Sequence, residues 1–405
     1  MWDVAIIGAG LSGIACARQL TAAGHSVVIL DKSRGIGGRM ATRRVSNEVR
    51  VDHGLRYWQP QSQELKALTD ELLSHDIIEP WRVSAYEIRQ RRVITPIDPG
   101  DSPRYVARAG MSAIAKFLLQ DFTPEQNLLT NHRAVRLQDQ ETHWQIECEG
   151  KKMVNAKRCA IAIPAPQAVD LISTISTCLT AEDPGSENSD SDNLDSNNLD
   201  LERKNVLQTA IARLKAVTYF PRITVIAGYH NRYSNSMGQL DPNGWMVSDR
   251  VGTSTNWIGL DSSKRKPVGN VSTTTSSTHS TESSADPVIV IHSKASFAQQ
   301  YLETSDLQPA AAVLLRANAR KFAPWIAQPA WMQVHRWRYA QVNTPYAEST
   351  LAINDSLLCG GDWCVPSSDV NAAIPQNSML QNIDYAYQSG IAMAMALEAS
   401  CVPAV

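Results

Sequence analysis

The sequence predicts an α/β protein: a Rossmann-like dinucleotide-binding domain with an interleaved, mixed-sheet α+β second domain. Three observations predict it. A short apolar run, Val4 to Ile7, leads into Gly8-Ala9-Gly10-Leu11-Ser12-Gly13 and then a helix-patterned stretch. A second run, Val27 to Leu30, is rich in β-branched residues and ends at Asp31. Strand and helix patterns recur at both ends of the chain, as expected when one domain is completed by the C-terminal part after another is inserted.

The elements follow in order. Val4 to Ile7 reads as a buried strand, and Leu11 to Leu20 as a helix with Gly13, Ala15 and Ala17 on one side. Gly24 stands where a helix C-terminal glycine belongs. Val27 to Leu30 is the second buried strand, so the first thirty residues make one β-α-β unit. Glu64 to Leu73 reads as a helix, and Ala85 to Arg89 with Arg92 to Ile94 as a hairpin. Ser112 to Leu119 is a helix, and Ala134 to Leu137 and His143 to Glu147 alternate as strands. Cys159 to Ile163 is a buried strand stopped by Pro164 and Pro166. Pro287 to His292 is a strand, and Ser296 to Glu303 and Ala310 to Phe322 are helical. Leu357 to Cys359 is a last short strand and Ser389 to Ala399 a last helix.

Two segments look inserted. Ala181 to Asp200 carries seven acidic residues and no basic one, and Val271 to Ser284 has eleven Ser or Thr in fourteen positions. Neither has the apolar content to offset its ordering entropy, so both are expected to be disordered surface loops.

Composition bounds the function. The chain has 405 residues, 43% hydrophobic and 19% charged, which suits two domains with a substantial core. A formal net charge of −2 gives no basic surplus for nucleic acid. No apolar run approaches the ~20 residues that cross a bilayer. Seven cysteines in no paired framework suggest free thiols in a reducing compartment. With no signal-type segment at its start, the expectation is a cytoplasmic protein acting on a small molecule, with neither nucleic acid nor membrane as partner. The oligomeric state is not legible.

The G-x-G-x-x-G string gains its meaning from context, between a strand and a helix with an acidic residue closing the next strand. Gly8 permits the tight turn, Gly10 lets main chain approach a pyrophosphate, and Gly13 allows helix and sheet to pack closely. Free N–H groups and the helix dipole then hold phosphate. Asp31 accepts from ribose hydroxyls and repels a 2′-phosphate, which disfavours NADP. A second glycine unit follows, Gly35-Ile36-Gly37-Gly38-Arg39-Met40. Two adjacent glycines and an arginine supply a second close approach and a cation, which a longer bipartite cofactor needs.

This second unit resembles the Gly-Gly-Arg motif of the flavin amine oxidase superfamily. Asp52-His53-Gly54-Leu55-Arg56-Tyr57, Arg108 to Ala113, Ile163 to Ala168, His335-Arg336-Trp337-Arg338-Tyr339-Ala340 and Cys359-Gly360-Gly361-Asp362-Trp363-Cys364 together resemble the renalase family, its bacterial branch especially, with Asp261 to Lys264 a weaker match. The resemblance covers roughly residues 1–170 and 205–400. It implies FAD, bound in extended form and non-covalently, in a glutathione-reductase/p-hydroxybenzoate-hydroxylase-like domain. It implies discontinuous domains: 1–65, 102–170 and 345–405 for FAD, and 66–101 and 205–344 for substrate, with 181–204 and 262–286 as inserted loops. The residues expected at the cofactor are Gly8, Gly10, Ser12, Gly13, Asp31, Lys32, Gly38, Arg39, Met40, Gly54, Leu55, Val135, Gly361 and Asp362.

The resemblance also implies a reaction: oxidation of isomeric dihydronicotinamide dinucleotides, reduced at ring carbon 2 or 6, with O2 as acceptor and H2O2 as product. Flavin carries the hard chemistry, and a dihydropyridine loses hydride without a protein base. His335, Trp337 and Arg56 are the expected catalytic residues. His335 and Trp337 share one strand face, and either line the pocket or pack the sheet. Leu55-Arg56 replaces the Ala-Gln common in renalases, placing a cation beside the ring if Arg56 faces it. Asn371 to Ile383 is extra sequence, which leaves the start of the last flavin-contacting helix near Ile383 to Tyr385. His292 is expected to be a core histidine with its bonds satisfied. Lys294 is the one candidate for an amine-oxidase lysine, Cys359 and Cys364 are an outside candidate for a redox pair, and no metal site is expected. The competing functions are an ordinary amine oxidase, a membrane-associated isoprenoid desaturase, and a flavin-binding sensor or assembly protein without turnover.

Overall fold

The computed structural model describes residues 1–89, 94–96, 103–178, 193–230, 240–241, 244–265, 286–366 and 381–399. The strands are β1 (Trp2–Ile7), β2 (Val27–Asp31), β3 (Thr42–Arg44), β4 (Arg50–Asp52), β5 (Glu79–Pro80), β6 (Ser84–Ile88), β7 (Ile94–Pro96), β8 (Tyr105–Val106), β9 (Leu128–Thr130), β10 (Ala134–Asp139), β11 (Trp144–Cys148), β12 (Lys152–Ile161), β13 (Thr218–Gly228), β14 (Trp245–Asp249), β15 (Thr255–Leu260), β16 (Val288–Ser293), β17 (Trp331–Thr344), β18 (Leu351–Asn354) and β19 (Leu357–Cys359). The helices are α1 (Leu11–Ala22), α2 (Gln63–Ser74), α3 (Ser112–Leu118), α4 (Ala165–Cys178), α5 (Asn193–Ala216), α6 (Ala295–Gln299), α7 (Gln308–Ala319) and α8 (Gln381–Ala399).

Two large sheets organise the molecule. In the first, β9, β2, β1, β12 and β19 run parallel side by side, and β10 and β11 continue from β12 as an antiparallel meander. Alternate residues of its strands face two cores. Val4, Ile6, Val27 and Ile29 pack against Ile14 and Leu20 of α1, Ile114 of α3 and Met393 and Leu397 of α8. Ala5, Ile7, Val28 and Leu30 pack on the other side against Leu171 and Ile172 of α4 and Leu207, Ala210 and Leu214 of α5. Burial on both faces explains why these strands read as continuous apolar runs.

The second sheet has the order β17-β13-β16-β15-β14-β6-β7. One face is apolar: Ile223, Val225, Ile258, Ile289 and Ile291 pack against Ala310, Ala311, Leu314 and Leu315 of α7. The opposite face is mixed, and it forms the substrate side of the site described below.

Several expectations need correction. Residues 66–78, assigned to the substrate domain, pack into the first core through Leu68, Leu72 and Ile78. Of the segment 181–204 expected to be disordered, 193–204 form the first half of α5, and the remainder lies outside the described residues. Arg213 and Lys215 lie in the last turn of this helix, where a helix dipole favours cations. Of 262–286, the 3₁₀ turn Asp261–Arg265 is ordered with Ser263 and Lys264 buried, while 266–285 fall outside the described residues. The helix expected over Ser296 to Glu303 is the single short α6, and α8 starts at Gln381, eight residues before Ser389. Arg92 and Val93 of the expected hairpin lie outside the described residues. β13 has no counterpart in the sequence reading, because Pro221 interrupts its pattern; the register of β13 with β17 shifts between Phe220 and Arg222, the kind of irregularity that tolerates proline. No helix among the described residues is long and apolar enough to cross a membrane.

Candidate active site

The first half of the site is the β1–α1 turn. Gly8 has φ +111°, and a Cβ there would lie 2.5 Å from the Ala162 carbonyl oxygen. A Cβ on Gly13 would lie 1.9 Å from the Gly8 carbonyl oxygen. Those two glycines are required by the protein itself. Gly10 is different, for a Cβ there would meet nothing within 4 Å. It opens onto the α1 N-terminus, where no side chain caps the helix and Leu11 and Ser12 sit buried. Gly38 faces it: the Cβ position of Gly38 is 3.4 Å from Gly10 Cα, and Gly37 N donates to the Ala9 carbonyl at 2.8 Å. Two glycine turns and a helix N-terminus thus converge on space that a Cβ would fill, which fits a pyrophosphate.

Asp31 closes this turn. Its Oδ2 accepts from Ala9 N at 2.8 Å and its Oδ1 from Ser33 N at 2.7 Å. Next to it, Lys32 donates to Gln167 at 3.1 Å, and burial lowers its ammonium pKa. His132 N donates to the Asp31 carbonyl, and three residues further on Val135 lies exposed on β10.

The C-terminal part of the chain completes the same cradle. Arg39, in the 3₁₀ turn Gly38–Met40, donates to both carboxylate oxygens of Asp362 at 2.5 and 2.6 Å. Burial opposes the Arg39 charge, and Asp362 more than offsets it, so its pKa rises. Asn382 of α8 donates to the same carboxylate at 3.1 Å, and Gly361 N donates to Ser389 Oγ at 3.0 Å. Gly390 lets α8 cross α1 closely, for a Cβ there would lie 2.3 Å from the Ser12 carbonyl oxygen. The residues at 367–380 lie outside the described set. Met40 and Leu55 turn their side chains into the first core, so of Leu55 only the main chain reaches this region, through Leu55 N to the Arg39 carbonyl at 2.8 Å.

The second half is the mixed face of the second sheet. Alternation puts Arg222 and Thr224 of β13, His292 of β16 and His335 and Trp337 of β17 on it, with Thr224 opposite both His292 and His335. Across from them runs His53-Gly54-Leu55-Arg56. The rings of His53, His335 and Trp337 form one cluster, with centroids 5.0, 5.3 and 4.3 Å apart. Trp337 Nε1 donates to the His53 carbonyl at 3.2 Å. A Cβ on Gly54 would lie 2.1 Å from the Arg39 carbonyl oxygen and 3.2 Å from the Trp337 ring, so a glycine joins the two halves here. Arg56 donates through Nε to His292 Nδ1 at 3.2 Å and lies over the Trp257 ring at 4.8 Å. Arg39, Gly54, Arg222, His292, Trp337 and Ala340 line a narrow recess between the halves.

The electrostatics of this recess are cationic. Burial and then the neighbouring His335 push His53 down to about 4. Burial and Arg43 lower His335, while burial, Arg56 and Arg222 take His292 well below its usual value. Burial brings Arg56 down to about 10, and burial with Arg56 brings Arg222 to about 9. At neutral pH the three imidazoles are therefore neutral and the guanidiniums charged. None of the lining residues is a carboxylate.

Sequence reasoning missed three features. Arg222 and Thr224 went unnoticed with β13. His292 was expected to be satisfied, yet its Nε2 is buried with no partner among the described residues. A buried ion cluster supports the segment just before His53: Asp52 meets Arg265 at 3.0 Å and Lys264 at 3.4 Å, and Asp261 meets each of those cations at 2.7 Å. Asp52 also accepts from Met111 N at 2.9 Å and Thr42 Oγ1 at 2.7 Å. Lys294 donates to the Arg250 carbonyl, outside the recess, so it is not the lysine sought. Cys359 and Cys364 are free buried thiols whose pKa values burial raises, the reverse of a reactive pair. Among the described residues no His, Cys, Asp or Glu group could hold a metal ion.

Comparison with known proteins agrees with this geometry. Residues 6–72 match the family model of an NAD(P)-binding Rossmann-like domain. The putrescine oxidase of Kocuria rosea is 39% identical over 70 residues, 17% of this chain and 14% of that enzyme. The sequence match thus spans a small part of its curated relatives. The fold match is nearly complete. A solved putrescine oxidase with redesigned cofactor binding superposes with a TM-score of 0.63 at 14% identity, covering 98% of this chain and 99% of the other. Cyclohexylamine oxidase from Brevibacterium oxydans gives 0.64 at 12% identity over the same shares. The N-terminal segment is thus similar to that of flavin-containing amine oxidases, and the chain shares their fold over nearly its whole length.

Proposed function

We propose that the protein is an FAD-dependent oxidase whose donor is an isomeric dihydronicotinamide, reduced at ring carbon 2 or 6, rather than an amine. FAD is the cofactor that the two facing glycine turns, Arg39 and Asp362 would hold, and it supplies two-electron acceptance with return of the electrons to O2. The balance is one donor, one proton and O2 giving the oxidised pyridinium and H2O2.

The observation that carries this reading is the cationic recess. Arg222 lines it and Arg56 stands behind His292, while the charge of Arg39 is met by Asp362. An ammonium substrate entering there meets like charge, whereas a neutral ring on an anionic dinucleotide meets donors and aromatic faces. The residues act by placement. Trp337, tethered to the His53 carbonyl, offers a face on which a planar ring can stack. His53 and His335, held neutral, add no charge beside it. A dihydropyridine needs no base from the protein, since its ring nitrogen supplies the electron push. The weak likeness to putrescine oxidase favours the second reading, oxidation of an amine. Anaerobic stopped-flow mixing separates the two. Bleaching of bound flavin by carbon-2 or carbon-6 dihydronicotinamides, much faster than by ordinary NADH or putrescine, is the expected result. Faster bleaching by a primary amine would establish the second reading instead.

A further inference from the structure

The cofactor cradle has a neighbour that comes from the other sheet. Tyr219, on β13, lies opposite Val342 of β17 and stacks on Tyr339 with ring centroids 5.3 Å apart. Two residues before Val342, the Ala340 carbonyl accepts from Arg39 at 3.5 Å, so this end of the second sheet abuts the second glycine turn. The Tyr219 hydroxyl reaches the first domain: its oxygen accepts at 3.3 Å from Ala165 N, at the start of α4. The chain just before Ala165 lies against the first glycine turn. A Cβ on Gly8 would lie 2.5 Å from the Ala162 carbonyl oxygen and 2.8 Å from an Ile163 methyl. Trp363, next to Asp362, donates to the Ile163 carbonyl at 3.1 Å. The hydroxyl thus stands among the pieces that build the cradle.

The chemistry of that hydroxyl is one-sided. Its oxygen is engaged by Ala165 N, while its hydrogen has no acceptor among the described residues. Burial and the Asp362 carboxylate raise its pKa well above the usual value, against an opposing effect of Arg39, so the hydrogen stays on. Asp362 already accepts from Arg39 and Asn382. A donor left without an acceptor away from water is costly, and the groups beside it call for a partner that only accepts.

We propose that the Tyr219 hydroxyl is a direct contact to FAD, donating to a phosphate oxygen beside Arg39. The second sheet then holds the cofactor as well as facing the donor. The proposal rests on FAD as the cofactor and is independent of which donor reduces it.

The test is retention of cofactor, not turnover. Ultrafiltration of the holoprotein reads FAD affinity. ADP, which carries the phosphates without the flavin, is titrated by calorimetry into the FAD-stripped protein. Tyr219→Phe keeps the ring and its stack on Tyr339 and removes only the hydroxyl. It should weaken both FAD and ADP by roughly tenfold to a hundredfold, the loss expected when a hydrogen bond to a charged group goes. Tyr339→Phe takes a hydroxyl from the neighbouring ring and should leave both affinities unchanged. The urea midpoint of the FAD-stripped protein follows the lost contact to Ala165 separately. Unchanged FAD affinity in Tyr219→Phe, whatever the midpoint does, would overturn the proposal. So would an equal loss in Tyr339→Phe, or a loss for FAD without one for ADP. A parent protein that binds neither probe would overturn the cofactor reading along with it.

Discussion

Arg39 and Asp362, 323 residues apart in the chain, meet in a two-pronged ion pair that joins the second glycine turn to the turn after β19. Asp362 is almost wholly buried, and its side chain is 2% exposed. Removing Arg39 alone therefore leaves a buried carboxylate without its cation, at a cost of about 3–5 kcal/mol. Arg39→Met should lower the thermal midpoint and weaken FAD retention by roughly tenfold to a hundredfold, the loss expected when a cation leaves a phosphate. Adding Asp362→Asn should restore most of the stability but not the affinity. Ultrafiltration of free FAD together with thermal unfolding reads both. Full recovery of FAD affinity in the double variant would place Arg39 away from the phosphates.

The two outer glycines and the middle one of G-x-G-x-x-G should fail differently. Gly13→Ala forces a methyl to 1.9 Å from the Gly8 carbonyl oxygen, so the fold should lose at least about 1–3 kcal/mol. Gly10→Ala meets nothing within 4 Å and has an extended backbone that alanine adopts freely. It should leave the urea midpoint of the FAD-stripped protein unchanged while FAD affinity falls. A Gly10→Ala protein that holds FAD as well as the parent would show that the pyrophosphate lies elsewhere.

What the sequence made legible was local chemistry. Gly8, Gly13 and Asp31 answer to constraints within one turn, and Arg39 and Asp362 each stand beside a glycine whose purpose can be read. What it hid was created by pairing at a distance. Arg222 and His292 share a face only because Thr224 lies opposite His292 on one side and His335 on the other. The alternation Arg222, Thr224, Ile226 was the available signal, and Pro221 broke it. α5 was hidden by its polar start, since nothing in 193–204 alone shows that Leu207, Ala210 and Leu214 anchor the same helix to the first sheet.

Lys264 illustrates the cost of a buried charge. It is 1% exposed and shares Asp52 and Asp261 with Arg265. Lys264→Met deletes one of two cations facing two carboxylates and should destabilise by about 3–5 kcal/mol. Because Asp52 precedes His53 and Gly54, the variant should also raise KM more than it lowers kcat, by loosening the wall of the recess. Urea unfolding and steady-state kinetics check the two effects. A stability change within about 0.5 kcal/mol, the range of an ordinary surface substitution, would show that the cluster contributes nothing net.

The last expectation concerns acid. His53 has its pKa lowered from 6.5 to about 4 by burial and by His335. In the unfolded chain the imidazole takes up a proton near its ordinary value, while the folded protein resists until well below it. Between those two values the unfolded state binds more protons, so folding stability rises with pH there. The contribution is complete above about 6.5, fades as pH falls, and is lost once pH passes the folded value. Its full size is about 3 kcal/mol at 1.36 kcal/mol per pKa unit. His335 and His292 shift in the same direction and steepen the slope. Urea midpoints of the holoprotein measured from pH 7.5 down to about 4.5 should therefore fall, and His53→Gln should flatten the curve by about one proton's worth. An unchanged slope in His53→Gln would mean that His53 titrates normally and is open to water, which would remove it from the buried wall of the recess.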